Sequence, residues 1–288
     1  MANLTITTIQ SRLHWEDKQA NLSMFEEKIR GIKENTELVI LPEMFSTGFS
    51  MNPGRLAETM EGETLHWMKR VAAENRVILT GSFICAETSL ATQSGLTGFS
   101  ATSSGLTGFT NRLVWMLPNG EYGIYDKRHL FAYAGEDRHY TAGSKRLIAS
   151  VKGWAINLQI CYDLRFPVWA RQTPPPPGKT GIKPEYDVLV YVANWPERRR
   201  LAWMTLLQAR AIENQCYVIG VNRVGEDGNG IYHSGDSMII DPAGEILYTK
   251  KDAEDIFTIT LERSLLDSTR EKLPFLEDAD RFRILENE

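Results

Sequence analysis

Three segments of this chain share one pattern: an ordered run stops abruptly at a reactive polar side chain. Leu38-Val39-Ile40-Leu41-Pro42 ends in Glu43, Tyr125-Asp126 leads into Lys127, and Ala155-Ile156-Asn157-Leu158-Gln159-Ile160 ends in Cys161. A carboxylate, an ammonium and a thiol are the parts of a nucleophilic hydrolytic site. A free thiol has a pKa of about 8.5 and is mostly protonated at neutral pH. A neighbouring glutamate can take that proton as general base, and the thiolate can then attack a carbonyl or nitrile carbon. A fixed ammonium can hold the developing oxyanion together with a backbone N–H, such as that of Tyr162. One such donor is typically worth about 3 kcal/mol. Each residue also has an ordinary reading: a turn carboxylate, a solvated lysine, and a cysteine acting as a small hydrophobe inside a strand. That last reading suits Cys85 and Cys216.

Residues so far apart in sequence meet only if rigid elements carry them, and α/β proteins gather ligand sites at strand ends. The pattern supplies such elements. Strand-like runs are Leu4–Ile9, Leu38–Leu41, Val77–Cys85, Thr110–Leu117, Tyr122–Asp126, Trp154–Ile160, Val188–Ala193, Tyr217–Asn222, Gly235–Ile240, Glu245–Tyr248 and Ile256–Leu261. Helical periodicity marks 17–33, with Leu22, Phe25, Ile29 and Ile32 on one face. It marks 62–75 with Leu65, Met68 and Val71, and 199–215 with Trp203, Leu206, Leu207 and Ala211. Helices interspersed with strands, some of them in hairpins, give a mixed-sheet α/β protein with helices covering the sheet faces. With no dividing linker, the expectation is a single domain over residues 1–288. Two stretches read as insertions. Ser-Gly-Leu-Thr-Gly-Phe occurs at 94–99 and again at 104–109, which reads as a surface loop with a local duplication. Pro174-Pro175-Pro176-Pro177-Gly178-Lys179-Thr180 reads as a stiff polyproline-like connection.

Composition narrows the classes. The chain has 288 residues, 42% hydrophobic and 24% charged, with a net charge of −5. It can bury a large core, and a broad basic surface for nucleic acid is not expected. It contains no apolar run of transmembrane length, so no membrane partner is expected. Its first residues lack the basic-then-apolar pattern of a signal peptide. With three cysteines, an odd number, the expected home is a reducing cytoplasm. Other motifs fail. Gly178-Lys179-Thr180 lacks the earlier glycine of a phosphate loop, because position 173 is Thr173. Gly228 and Gly230 have no third glycine at dinucleotide-binding spacing, and no Gly-x-Ser-x-Gly elbow occurs. The five histidines show no ligand spacing and no Cys-x-x-Cys occurs, so neither a metal nor another cofactor is implied. His129 and His139 flank a polar loop, as functional or as ordinary surface residues.

Leu41-Pro42-Glu43-Met44-Phe45, Tyr125-Asp126-Lys127-Arg128-His129-Leu130-Phe131 and Ile160-Cys161-Tyr162-Asp163-Leu164-Arg165-Phe166-Pro167 resemble the motifs of the nitrilase, or carbon–nitrogen hydrolase, superfamily. Further matches are Ala193-Asn194-Trp195-Pro196, Ala209-Arg210-Ala211-Ile212-Glu213-Asn214 and His233-Ser234-Gly235-Asp236-Ser237, in the family's order across most of the chain. The resemblance implies a four-layer αββα sandwich with two mixed sheets, paired through its helices into a homodimer or higher homo-oligomer. It implies Glu43 as base, Lys127 as oxyanion stabiliser and Cys161 as nucleophile, with Glu136 as an auxiliary second glutamate. Within the superfamily the cysteine motif resembles the ω-amidase branch, which acts with water on short dicarboxylic acid monoamides such as 2-oxoglutaramate. The free carboxylate of such a substrate needs a cation, for which Arg165 is a candidate. Asn194 and Trp195 follow a strand and could line the pocket. The alternatives are another amidase of the superfamily, an N-carbamoyl hydrolase, or a non-catalytic binding or scaffold member.

Overall fold

A computed structural model describes residues 2–88, 106–172 and 184–285. The proline run at 174–180 and residues 94–105 of the duplicated segment lie outside them. Two mixed sheets face each other. The first runs in the order β13 (Asp255–Leu261), β1 (Leu4–Gln10), β2 (Leu38–Ile40), β3 (Ile78–Thr88), β4 (Leu106–Met116) and β5 (Tyr122–Asp126). The second runs β10 (Val224–Glu226), β11 (Tyr232–Ile240), β9 (Tyr217–Asn222), β8 (Val188–Ala193), β7 (Trp154–Ile160) and β6 (Leu147–Val151), with β12 (Ile246–Lys251) also paired to β11. Each sheet has three parallel strands at its centre, β1-β2-β3 and β7-β8-β9, flanked by antiparallel ones. Central parallel strands are buried on both faces, which favours apolar runs such as those of β2 and β8; every residue of β8 and β9 is buried, whereas β1, β3 and β7 also bury polar residues such as Thr7, Ser82 and Asn157.

Period-two alternation divides the core. In β2, Leu38 and Ile40 face the interior between the sheets, where they join Leu4, Ile6, Ile156, Leu158 and Val190. Val39, between them, faces outward under α1 (Lys18–Arg30) and α3 (Glu63–Asn75), against Phe25, Ile29, Met68 and Val71. The Asp17 side chain caps α1 by accepting from the Ala20 N–H. On the other side α5 (Arg200–Asn214) lays Trp203, Leu207 and Ala211 on the second sheet. A Cβ on Gly220 of β9 would stand 2.6 Å from Leu207 and 2.7 Å from Trp203, so α5 packs directly on the strand backbone. The layers are therefore α-β-β-α. Short helices α2 (Pro53–Leu56) and α4 (Pro167–Ala170) and α6 (Arg263–Lys272) complete the described α-helices. Among the described residues no helix is long and apolar enough to cross a membrane.

The structure departs from the sequence reading at the ends of the pattern. The segment read as a loop through Phe109 is strand from Leu106 onward: Phe109 pairs with Ala86 and Gly108 with Glu87. Partner strand β3 imposes that conformation on a Gly- and Thr-rich stretch of weak apolar pattern. β6 was not expected because it buries only Ala149, and α6 because it buries only Arg263 and Leu266. Where the strands carrying the site end, the backbones approach closely. A Cβ on Gly81 of β3 would lie 2.9 Å from Leu41 Cβ and 2.9 Å from Phe45, the residues flanking Glu43. Gly81→Ala is expected to destabilise by about 1–3 kcal/mol through overpacking, read as a lowered urea midpoint. It is also expected to lower turnover, because the displaced turn carries Glu43.

Candidate active site

The carboxyl ends of β2, β5, β7 and β8 point to one end of the sandwich, and the polar residues that follow them meet there. Pro42 stops β2, and Glu43 turns inward with no exposed surface. Its Oε1 accepts from Lys127 Nζ at 2.9 Å and from Asn111 Nδ2 at 2.8 Å. Its Oε2 accepts from the Asn194 N–H at 2.8 Å, and Asn194 Nδ2 donates to the Glu43 carbonyl at 2.5 Å. Lys127, the first residue past β5, is also fully buried. Its ammonium lies 2.8 and 3.0 Å from the two oxygens of Glu136. Gly135, at φ +79°, links two short 3-10 turns and brings Glu136 inside among exposed neighbours. The Phe131 N–H then donates to Glu136 Oε2 at 2.6 Å.

Cys161 follows β7 with φ +44°, left-handed for a residue with a Cβ. The chain passes from strand into a 3-10 turn over Cys161–Arg165, a strand–turn elbow built without the Gly-x-Ser-x-Gly sequence. Buried Asp163 holds the elbow. It accepts from Ile160 N–H at 3.1 Å, from the Tyr125 hydroxyl at 2.7 Å and from His129 N–H at 2.9 Å. His129 thus belongs to this brace and stacks on Phe166 at 3.8 Å, whereas His139 is exposed.

Two carboxylates face one ammonium. Burial works against the Lys127 charge, but Glu136 and Glu43 outweigh it and hold the lysine pKa above its usual range. Burial pushes the Glu136 carboxyl up, Lys127 opposes this, and Glu43 adds to it. Burial pushes the Cys161 thiol well above its usual range. The charge of hydrogen-bonded Glu43 pushes it the same way, and Lys127 offsets only part. At rest the group is therefore a thiol with a carboxylate beside it.

Cys161 and Lys127 open onto a cavity of about 320 Å³, which Tyr162, Arg165, Asn194 and Trp195 also line. That is the size of a small-molecule site. The four residues expected there are all present, with differing surroundings. Asn194 spends both N–H groups on Glu43. Trp195 packs 5.5 Å from Trp203 and carries the Arg165 guanidinium 4.9 Å over its ring. Sequence reasoning missed Asn111, whose Nδ2 bridges Glu43 and, at 3.3 Å, Glu136. The sequence offered only the polar triplet Thr110-Asn111-Arg112 within a strand, and its burial is visible in the structure alone. It also missed the Asp163–Tyr125 brace and Arg199, which lines the cavity.

The Carbon-nitrogen hydrolase family matches residues 5–271. Over 286 residues the chain is 41% identical to Omega-amidase YafV of Escherichia coli (strain K12), covering 99% of this chain and 100% of that one. Over 277 residues it is 28% identical to a 2-oxoglutaramate amidase of Bacillus subtilis (strain 168), covering 95% and 96%. The crystal structure of XC1258 from Xanthomonas campestris, a CN-hydrolase superfamily protein with an arsenic adduct in its active site, is similar with a TM-score of 0.88. That chain is 38% identical, with 99% and 100% covered.

Two outcomes follow from this geometry. Lys127→Met leaves Glu43 and Glu136 buried against each other and is expected to cost about 3–5 kcal/mol at pH 7. Without the ammonium, burial and mutual repulsion raise the folded-state carboxyl pKa further. A raised folded pKa contributes stability at low pH that is lost as pH rises, so urea unfolding should show a smaller deficit at pH 5 than at pH 8. Second, all three thiols are raised by burial, Cys85 to about 11. Access then decides reactivity. Cys161 lines the cavity, and Cys85 and Cys216 have no exposed surface. Peptide mapping after brief iodoacetamide treatment should find Cys161 labelled first.

Proposed function

This chain belongs to the carbon–nitrogen hydrolase family, and on that premise we propose that it is an ω-amidase. It hydrolyses the terminal amide of a short dicarboxylic acid monoamide, such as 2-oxoglutaramate, to the dicarboxylate and ammonia. The observation that carries this reading is the meeting of Glu43, Lys127 and Cys161 at strand ends beside one small cavity. The activities named for the Escherichia coli and Bacillus subtilis relatives support the substrate class.

In this mechanism the amide carbon sits over Cys161. As the S–C bond forms, the thiol proton passes to Glu43, which avoids a free buried thiolate. An ammonium has three N–H groups. One toward Glu43 and one toward Glu136 leave the third for the oxyanion, with the Tyr162 N–H as second donor. The tetrahedral intermediate collapses, Glu43 returns the proton to the departing nitrogen, and ammonia leaves a thioester on Cys161. Glu43 then takes a proton from water. The hydroxide attacks the thioester, the C–S bond breaks, and the sulfur regains the proton from Glu43. Glu136 and Asn111 act through Lys127 and Glu43 as positioning residues. Arg165 offers its charge to the free carboxylate of the substrate.

A homodimer belongs to the same reading. The outer face of α5 supports it with Leu201, 81% exposed, and Ile212, 55% exposed.

Purified protein is expected to release ammonia from 2-oxoglutaramate, and Cys161→Ala to lower that rate at least about 10³-fold. Equal rates in the two proteins would remove Cys161 as nucleophile. If the wild type ignores the monoamide but hydrolyses an N-carbamoyl amino acid, the substrate class changes and the triad stands.

A further inference from the structure

The cavity carries more positive charge than chemistry at Cys161 requires. Beyond β8, Trp195-Pro196 leads into a 3-10 turn over Glu197–Arg199 and then α5. Arg198 and Arg199 of that turn line the cavity with Arg165 of the cysteine elbow. Other buried arginines have partners of their own: Arg112 pairs with Asp126, Arg210 with Glu213 and Arg263 with Asp187, and Arg223 donates to the Val224 and Glu226 carbonyls. Among the described residues no carboxylate lies within ion-pair distance of Arg165, Arg198 or Arg199.

Arg199 is nevertheless held in place. Its carbonyl accepts from the Trp195 indole N–H at 2.9 Å, and its guanidinium lies 4.9 Å over the Phe131 ring. Arg165 lies at the same distance over Trp195. Stacking on an aromatic face fixes a guanidinium plane and leaves its N–H edge free for a planar anion. Both platforms belong to the catalytic end, since the Phe131 N–H holds Glu136. Burial lowers the Arg199 pKa, and the like charges of Arg198 and Arg165 lower it further, so an arriving anion would relieve the strain. The other titratable groups on the lining do not supply that anion well. His233 is held neutral by burial, down to about 4, and Asp227 is one carboxylate against three guanidinium groups. Arg198 is exposed, whereas Arg199 and Arg165 are half-buried.

We propose that Arg199, with Arg165 beside it, seats the carboxylate at the far end of the substrate and sets the preference for anionic over neutral amides. The inference rests on the amidase reading above and adds the residue that selects within it.

The test compares succinamate with succinamide, an uncharged amide of the same length. In the wild type kcat/KM should favour succinamate. Arg199→Met should reduce that preference at least tenfold, mainly through KM for succinamate, and Arg199→Lys should recover part of it, having charge without the planar fork. A merely structural arginine would lower both substrates alike, so a preference unchanged within twofold overturns the seat while leaving the amidase reading intact. Calorimetry supplies a readout independent of turnover. In a Cys161→Ala background, Arg199→Met should weaken succinamate binding at least tenfold, and an unchanged Kd overturns the proposal. A wild type that releases ammonia from neither of these amides nor from 2-oxoglutaramate removes the amidase reading, and the seat with it.

Discussion

Moving an ammonium from water into a protein interior costs several kcal/mol even after relaxation, and Lys127 has no exposed surface at all. The carboxylates of Glu43 and Glu136 make that burial tolerable, but each carries the same penalty and needs its own partners. Those partners come from every side: Asn111 inside β4, the Asn194 N–H past β8, and the Phe131 N–H beside the glycine turn. The ion cluster thus ties both sheets and two loops to one point. Two carboxyl groups face one ammonium. Burial, with the charge of Glu43 only partly offset by Lys127, keeps the Cys161 thiol protonated. The proposed mechanism therefore needs a base that takes the proton during attack, rather than a preformed thiolate.

The fold is arranged to deliver such a cluster. Parallel strands in each sheet end on the same side, so the residues just past β2, β5, β7 and β8 are aimed by rigid ladders rather than by loops. The elbow at Cys161 adds a cost of its own, since a left-handed φ on a residue with a Cβ is held only when its surroundings over-determine it. Asp163 supplies that constraint through Ile160, Tyr125 and His129. Two of these partners belong to the segment that carries Lys127, so the Cys161 thiol and the Lys127 ammonium are positioned by one shared brace.

Legibility in the sequence followed how local each determinant is. β2, β8 and β9 are buried on both faces and show as largely apolar runs, and β7 is apolar but for Asn157 and Gln159, so their ends, and with them Glu43, Cys161 and Asn194, were visible. Glu136 was reachable only through the family resemblance, because a glycine in a polar loop does not reveal which neighbour turns inward. Asn111 was hidden because one asparagine in a strand leaves the period-two pattern intact; only its burial gives it meaning. β6 and α6 bury too little to leave a periodic trace. Arg199 stands in a run of three arginines at a helix start, which reads as a solvated face until the aromatic ring beneath it is known.

The inner end of the cavity sets the two carboxyl groups of Glu43 and Glu136 around Lys127, and the arginines make the outer end positive. A monoamide has one neutral end and one anionic end. In the proposed reaction it would lie with the amide inward over Cys161 and the carboxylate outward toward Arg165 and Arg199. The reverse pose would bring a carboxylate against two buried carboxylates and cost far more than a hydrogen bond returns. The dicarboxylate product of that reaction has no neutral end, so every pose it adopts would bring one charge beside the carboxyl groups of the inner end. In the proposed mechanism the polarity that orients the substrate would therefore also weaken the hold on the product once the thioester is hydrolysed.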